Sequence, residues 1–236
     1  MQALPSTRYC PDSYSALPAF DLARQVVDRG QESVGSIGDV ICAHGLHDIL
    51  GVGLLHKHFE MNRTEALVRR GATDGTLARP EMAPLHRLLP YVWKYDERAS
   101  GGDWLPLEFF DSADPAISNK VALASERISL NSQFLQDAAA EMRSRKTSTI
   151  FGISILNSSF FQKTHDEIFL ETTDDTRREL TVRRRPSTEA SSASVTQTQW
   201  SFGGDTEMTS CSNHGSCSGH CGHCSHTKCS GHCFHS

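Results

Sequence analysis

Cysteine is nearly absent from most of this chain. Of eight cysteines in 236 residues, Cys10 and Cys42 stand alone and the other six fall between Cys211 and Cys233. That distribution excludes a disulfide framework for the body of the fold. Long apolar runs are missing too: no stretch approaches the length that crosses a bilayer, and the opening Met1 to Cys10 has no continuous apolar core of a secretory signal. The expectation is a cytoplasmic protein without a membrane partner, in which the Asn62-Arg-Thr64 and Asn157-Ser-Ser159 acceptor patterns are chance matches. Basic excess is absent as well. A formal net charge of -5 argues against a surface coated for bulk nucleic-acid binding, while leaving room for a local basic patch. No glycine-rich phosphate loop of the P-loop or dinucleotide type occurs.

What is present reads as one α+β domain with mixed helices and largely antiparallel strands, carrying a Cys/His-rich tail. Residues 1–17, with two prolines and no clear period, read as a flexible arm; 18–204 read as the domain; 205–236 as a metal-binding tail, disordered or ordered by metal. Within the domain, Asp21 caps a short helix that Gly30 ends, followed by a glycine- and serine-rich connection. Thr64 to Gly71 reads as a helix and Gly71 to Pro84 as a loop. Leu85–Tyr95 and Trp104–Phe110 read as strands, with Pro90 and Pro106 favouring edges. Helical patterning begins at Asp114-Pro115, and Ser132 to Lys146 is the clearest helix, burying Phe134, Leu135, Ala138, Ala139 and Met142. Period-2 segments follow at Thr149–Leu156, Glu167–Thr172 and Leu180–Arg184. A low-complexity connection over Ser187–Ser194 then leads to a last strand, Val195–Phe202.

Chemistry concentrates first in Cys42 to Glu60, which holds His44, His47, His56 and His58 in a hydrophobic, glycine-punctuated run. Read as a strand from Val52, the alternation puts His56, His58 and Glu60 on one face and Leu55, Lys57 and Phe59 on the other. Two imidazoles on one face can ligate a metal, act as an acid/base pair, or sit hydrogen-bonded at the rim of a core.

A second concentration is Glu171-Thr-Thr-Asp-Asp-Thr-Arg-Arg-Glu179, where four carboxylates crowd a turn next to Arg177, Arg178, Arg183, Arg184 and Arg185. Clustered carboxylates can grip a guanidinium through bidentate hydrogen bonds and the arginines can hold phosphates; the plain alternative is an exposed, self-neutralising hairpin.

The tail carries a repeat. Cys217-Ser-Gly-His-Cys-Gly-His223 returns as Cys229-Ser-Gly-His-Cys-Phe-His235. Candidate ligands are Cys211, Cys217, His220, Cys221, His223, Cys224, Cys229, His232, Cys233 and His235, a thiolate and imidazole set suited to zinc(II) or copper(I). The spacing matches no zinc-finger class.

Gly53-Leu-Leu-His-Lys-His-Phe59 resembles a Leu-Leu-His-x-His-Phe signature of a family of fungal proteins, which by itself implies no activity. Together with Asp174-Asp175…Glu179, the chain also resembles the fungal arginine-containing cyclodipeptide synthases, whose motif pairs two aspartates with a closely following glutamate. Three residues intervene here where two are the family spacing. The resemblance implies an enzyme that takes arginine from arginyl-tRNA and joins it to a residue from a second aminoacyl donor, releasing a cyclic dipeptide for secondary metabolism. Asp174, Asp175 and Glu179 would bind the arginyl group or move protons, the arginines would meet tRNA phosphates, and His56 and His58 would position or deprotonate the attacking amine. An aminoacyl ester is already activated, so no cofactor is required. Two other expectations stand beside this one: a zinc- or copper-binding or sensing protein working through its tail, and a metal-dependent enzyme built on the histidine stretch.

Overall fold

A computed structural model describes residues 9–202 and 208–211, apart from 73, 83, 99–101, 116, 163, 165 and 193–194. The elements in chain order are α1 (Pro11–Ser15), α2 (Phe20–Ala43), β1 (Leu50–Leu54), β2 (Ala66–Ala72), β3 (Gly75–Glu81), β4 (Leu88–Asp96) and β5 (Asp103–Asp111). Then come α3 (Ser118–Leu130), α4 (Ser132–Arg145), β6 (Phe151–Ile155), β7 (Glu167–Asp174), β8 (Glu179–Pro186), α5 (Ser187–Ser192), β9 (Thr196–Trp200) and β10 (Met208–Cys211). The strands close into a barrel in the order β1-β6-β4-β5-β2-β3-β8-β7-β10-β9, with β9 returning to β1. Pairing is antiparallel except at β2–β5 and β7–β10, so the architecture is α+β in one domain. No helix among the described residues is long and apolar enough to cross a membrane.

Helices α2, α3 and α4 pack on the outside of the barrel. Val34, Ile37 and Ile41 of α2 and Phe134, Ala138 and Met142 of α4 meet Val52, Trp93, Phe151 and Ile153 in one core cluster. Asn131 caps α4 by accepting a hydrogen bond from the Phe134 amide, and Lys146 ends it in the left-handed conformation. The inner faces of β2, β7 and β8 supply a second cluster with Leu67, Phe169, Leu180 and Val182, into which Tyr14 and Leu17 insert.

Several expectations change. Gly30 does not end a helix: α2 continues through it and through Gly35 and Gly38, because a face of Ala23, Val27, Val34, Ile37 and Ile41 is buried against the barrel. A Cβ at Gly30 would meet the Phe151 ring at 2.5 Å, so this glycine serves close approach rather than termination. Thr64–Gly71 and the following "loop" are the hairpin β2–β3, whose pairing with β5 and β8 overrides short helical spacing. The segment Ser187–Ser192 is helical. The arm is tied down from Tyr9, whose hydroxyl donates to the Glu65 carbonyl at 2.8 Å, and Tyr14 is fully buried. The barrel also extends past residue 204, since β10 pairs with both β7 and β9.

Candidate functional site

The chain leaves the sheet after Leu54 and crosses one end of the barrel. Lys57 donates its amide to the Pro18 carbonyl at 2.9 Å, pinning this crossing under the start of α2. Both histidines turn inward: His56 and His58 are buried, with ring centroids 4.6 Å apart and planes at 67°. The strand expected to run from Val52 to Glu60 ends at Leu54, so the two rings meet across an irregular crossing and not by alternation along one strand. Leu55 and Phe59 are buried too, in the cluster around Tyr14, while Glu60 points out and pairs with Lys57.

Each ring is oriented by a second group. His56 Nδ1 lies 2.9 Å from the Leu54 carbonyl, which accepts only, so Nδ1 carries a proton and Nε2 is the atom turned away from that contact. His58 Nδ1 lies 3.0 Å from Thr173 Oγ1, and the His58 amide donates to the Tyr14 hydroxyl at 3.1 Å. On β7, Phe169, Glu171 and Thr173 alternate inward. Glu171 accepts from Thr198 Oγ1 at 2.9 Å. Thr198 reaches it because a β-bulge between Thr209 and Ser210 leaves it as the extra residue on β9. One atom from each of His56, His58 and Glu171 lies within 4.8 Å of the others.

Behind this triad, the face shared by Leu67 and Arg69 on β2 and Glu108 on β5 adds further polar groups. Arg69 lies 3.5 Å from Glu108 and 3.5 Å from the Asn157 amide oxygen, and its guanidinium stands 4.5 Å over the Tyr91 ring. Tyr91 donates its hydroxyl to Glu108. Asn157 donates to Gln199 at 3.3 Å and Gln199 to Ser154 at 2.7 Å, completing a buried network.

Burial pushes the Glu108 carboxyl upward, against the pull of Arg69 and Tyr91, and does the same to Glu171 against Arg69 and Thr198. Desolvation would lower the Arg69 guanidinium, but Tyr91, Glu108 and Glu171 outweigh it and raise it. Burial holds Tyr91 and Tyr14 well above the ordinary phenol range. Two buried carboxylates thus share one guanidinium. Ionising both is disfavoured by burial, so the arrangement favours a proton or a cation beside them.

Comparison with family models, with curated proteins and with solved structures gives no match for this chain. The site therefore rests on its own geometry.

The other sequence candidates lie elsewhere. His44 caps the C-terminus of α2, its ring held between Asn131 at 3.0 Å and Asp137 at 2.9 Å, and His47 is exposed. The histidine stretch is thus divided between an outer helix junction and the barrel interior. Asp174 and Glu179 are register partners on the outer face of the β7–β8 hairpin. Asp174 accepts from the Arg177 amide at 3.0 Å as a turn residue, Asp175 is exposed, and Glu179 pairs with Arg79. Glu171, counted in sequence with that acidic turn, faces the opposite way into the barrel. Of the arginines, Arg177 lies 3.8 Å from Asp174, Arg183 3.8 Å from Asp74 and Arg185 3.8 Å from Glu189. Arg184 donates to the Gln162 carbonyl at 3.0 Å, and Arg178 binds Glu65. Cys211 ends β10; Cys217, His220, Cys221, His223, Cys224, Cys229, His232, Cys233 and His235 lie outside the described residues.

Arg69, Tyr91, Glu108 and Gln199 are not singled out by sequence reasoning. The available signal was a charged residue directly after an apolar run in a strand, as in Ala66-Leu-Val-Arg69 and Leu105-Pro-Leu-Glu108.

Proposed function

We propose that the barrel interior is the working site of a metal-dependent enzyme, and that His56, His58 and Glu171 hold its divalent ion. The observation that carries this reading is the convergence of three buried ligand groups within 4.8 Å. Metal–ligand bonds of about 2.0–2.1 Å put ligands of one ion roughly 3.3 Å apart, a separation the three groups approach. Two imidazoles and one carboxylate form a donor set used by catalytic zinc sites, where a remaining position takes water or substrate. The ion would act as a Lewis acid and lower the pKa of bound water. The Leu54 carbonyl and Thr173 hydroxyl would fix the two rings from behind, as outer-shell groups do. Glu108 and Tyr91 would supply a protonatable pair deeper in the same interior. The reading places the chain in a reducing compartment such as the cytoplasm, where thiols stay available as ligands.

The test is metal content of the purified full chain and its variants. Glu171→Gln and His58→Ala should each lose about one equivalent of ion, while substitution of the tail cysteines by serine should keep it. Equal content in His58→Ala and parent would sink the reading.

A second reading, arginine-dependent cyclodipeptide synthesis from aminoacyl-tRNA, is favoured by one observation on the outer wall. Asp174, Glu179, Thr172, Thr181, Arg177 and Arg183 line a groove of about 300 Å³ bearing both charge signs. In this reading the carboxylates would take an arginyl side chain and the arginines the tRNA backbone. Expression in a bacterium followed by mass spectrometry for a new arginine-containing cyclic dipeptide tests it, with Asp174→Ala as control. Absence of that product from a culture making folded protein would remove this reading.

A further inference from the structure

We propose that Arg69 is the seat of a carboxylate, and that the barrel interior takes a small organic acid whose carboxylate docks on this guanidinium while its other end meets the ion held by His56, His58 and Glu171. The part played by the ion rests on the metal-centre reading above. The looseness of the Arg69 contacts motivates the idea. Arg69 is buried, yet its hydrogen bonds to Glu108 and to the Asn157 amide oxygen are both 3.5 Å long, the far limit of such a bond. Its Nε is buried with no hydrogen-bond partner among the described residues. Arginines nearer solvent are held closer: Arg127 by Asp48 at 2.6 Å, Arg178 by Glu65 at 2.8 Å and Arg70 by Asp111 at 2.9 Å. The buried guanidinium, which has given up its water, is the one that needs the better geometry.

The neighbouring carboxyls do not meet that need. Tyr91 donates its hydroxyl to Glu108, and Thr198 donates to Glu171 at 2.9 Å, so each carboxyl has a partner of its own. The guanidinium stands 4.5 Å over the Tyr91 ring, which fixes its plane. An Nε–H and a terminal N–H side by side form the fork that takes both oxygens of a carboxylate.

Charge selects the ligand. With a doubly charged ion on Glu171 and with Glu108 ionised as well, Arg69 leaves the interior one positive charge in excess; a protonated Glu108 makes the excess larger. A monoanion offsets this, whereas a phosphate dianion would bring more negative charge than the interior can balance beside Glu108 and Glu171. Arg69, Glu108 and Glu171 are all buried, so the ligand is enclosed and limited to a few heavy atoms. Arg69 lies within electrostatic reach of Glu171, and Glu108 within reach of His56, so a short acid spans from the guanidinium to the open position of the ion.

Calorimetric titration of the zinc-loaded full chain with sodium acetate, against sodium chloride at equal ionic strength, tests the proposal. The parent should bind acetate saturably at one site. Arg69→Lys keeps the charge and loses the fork; it should hold as much zinc as the parent and bind acetate about tenfold or more weakly. Equal acetate binding by parent and Arg69→Lys, or no saturable binding by the zinc-loaded parent, overturns the Arg69 seat and leaves the metal centre standing. Equal zinc content in His58→Ala and parent removes the ion and overturns the bridging arrangement with it. A second readout needs no substitution and decides the matter where Arg69→Lys does not fold. In the zinc-loaded parent made with isotope-labelled arginine, one Nε–H resonance protected from solvent exchange should move on addition of acetate and stay in place with chloride. If no protected Nε–H moves, Arg69 does not hold the carboxylate.

Discussion

The Thr173 hydroxyl lies 3.0 Å from Nδ1 of His58 inside the barrel, while the next residue, Asp174, faces out to the hairpin surface. One step along a strand thus separates the two chemistries of the chain. Because Thr173 touches the ring rather than the proposed ion, its effect is on orientation. Thr173→Val keeps the branched shape and removes the hydroxyl. It should weaken metal affinity about tenfold in a chelator competition, with a change in stability of about 1 kcal/mol. Unchanged affinity would mean that the hydroxyl does not position His58.

Among the described residues, Arg69 is the buried guanidinium set between Glu108 and Glu171, with 2% of its surface exposed. Arg69→Leu removes the guanidinium that offsets the burial of both carboxyls and should cost about 3–5 kcal/mol in urea denaturation. Glu108→Gln should cost less, since Tyr91 can still donate to the amide oxygen. The two variants should also differ in pH dependence. Glu108 has a carboxyl raised by burial, so the unfolded chain loses its proton first as pH rises. Its contribution to stability is complete below the unfolded carboxylate value of 4.5 and declines upward through the folded value. Glu108→Gln should flatten that decline and Arg69→Leu should steepen it.

Sequence periodicity suffices for α4 and for β4 to β8, where alternation or an Asn cap is local and uninterrupted. It misleads at α2, since Gly30, Gly35 and Gly38 resemble punctuation until the barrel surface beneath them is known. It misleads again at β2, too short to distinguish three- or four-residue spacing from alternation. Closure of the barrel depends on β9 and β10 meeting β1 and β7 at long range, which no local pattern encodes. The nearness of His56 to His58 in sequence is legible, but the strand alternation expected to align them is not what brings the rings together, since β1 ends at Leu54. Their third companion is not legible, because Glu171 sits in a run of acids and its inward direction is set by the register of β7 against β8.

Gly30 and Gly38 both face aromatic rings, yet alanine should have different consequences at the two sites. At Gly30 the new Cβ would meet Phe151, a fully buried ring of β6 that also packs edge-on against Trp200, and overpacking there should cost about 1–3 kcal/mol. At Gly38 it would meet the ring of Phe202, a partly exposed residue past the end of β9, which must swing aside toward solvent. The gain in helix propensity of about 1 kcal/mol should then leave Gly38→Ala near neutral. Urea midpoints of the two variants, compared at equal slope, decide this.

Glu65 gives a pH dependence of the opposite sign. Arg178, in the left-handed conformation at φ 53°, donates to both Glu65 oxygens at 3.1 and 2.8 Å and to the Glu60 carbonyl at 2.6 Å. The pair ties the turn of the β7–β8 hairpin to the crossing that carries His56 and His58. The Arg178 hydrogen bonds lower the Glu65 carboxyl from 4.5 to about 2, so the folded chain holds the ionised form longer than the unfolded chain. The resulting stability is present above pH 4.5 and is lost as pH falls toward about 2. Glu65→Gln should remove this acid-side dependence at a cost of about 1 kcal/mol near neutral pH, modest because the pair borders solvent. Thermal melts of parent and variant from neutral to acid pH should therefore converge at low pH. A constant separation across that range would show that the Arg178 contact does not depend on the Glu65 charge.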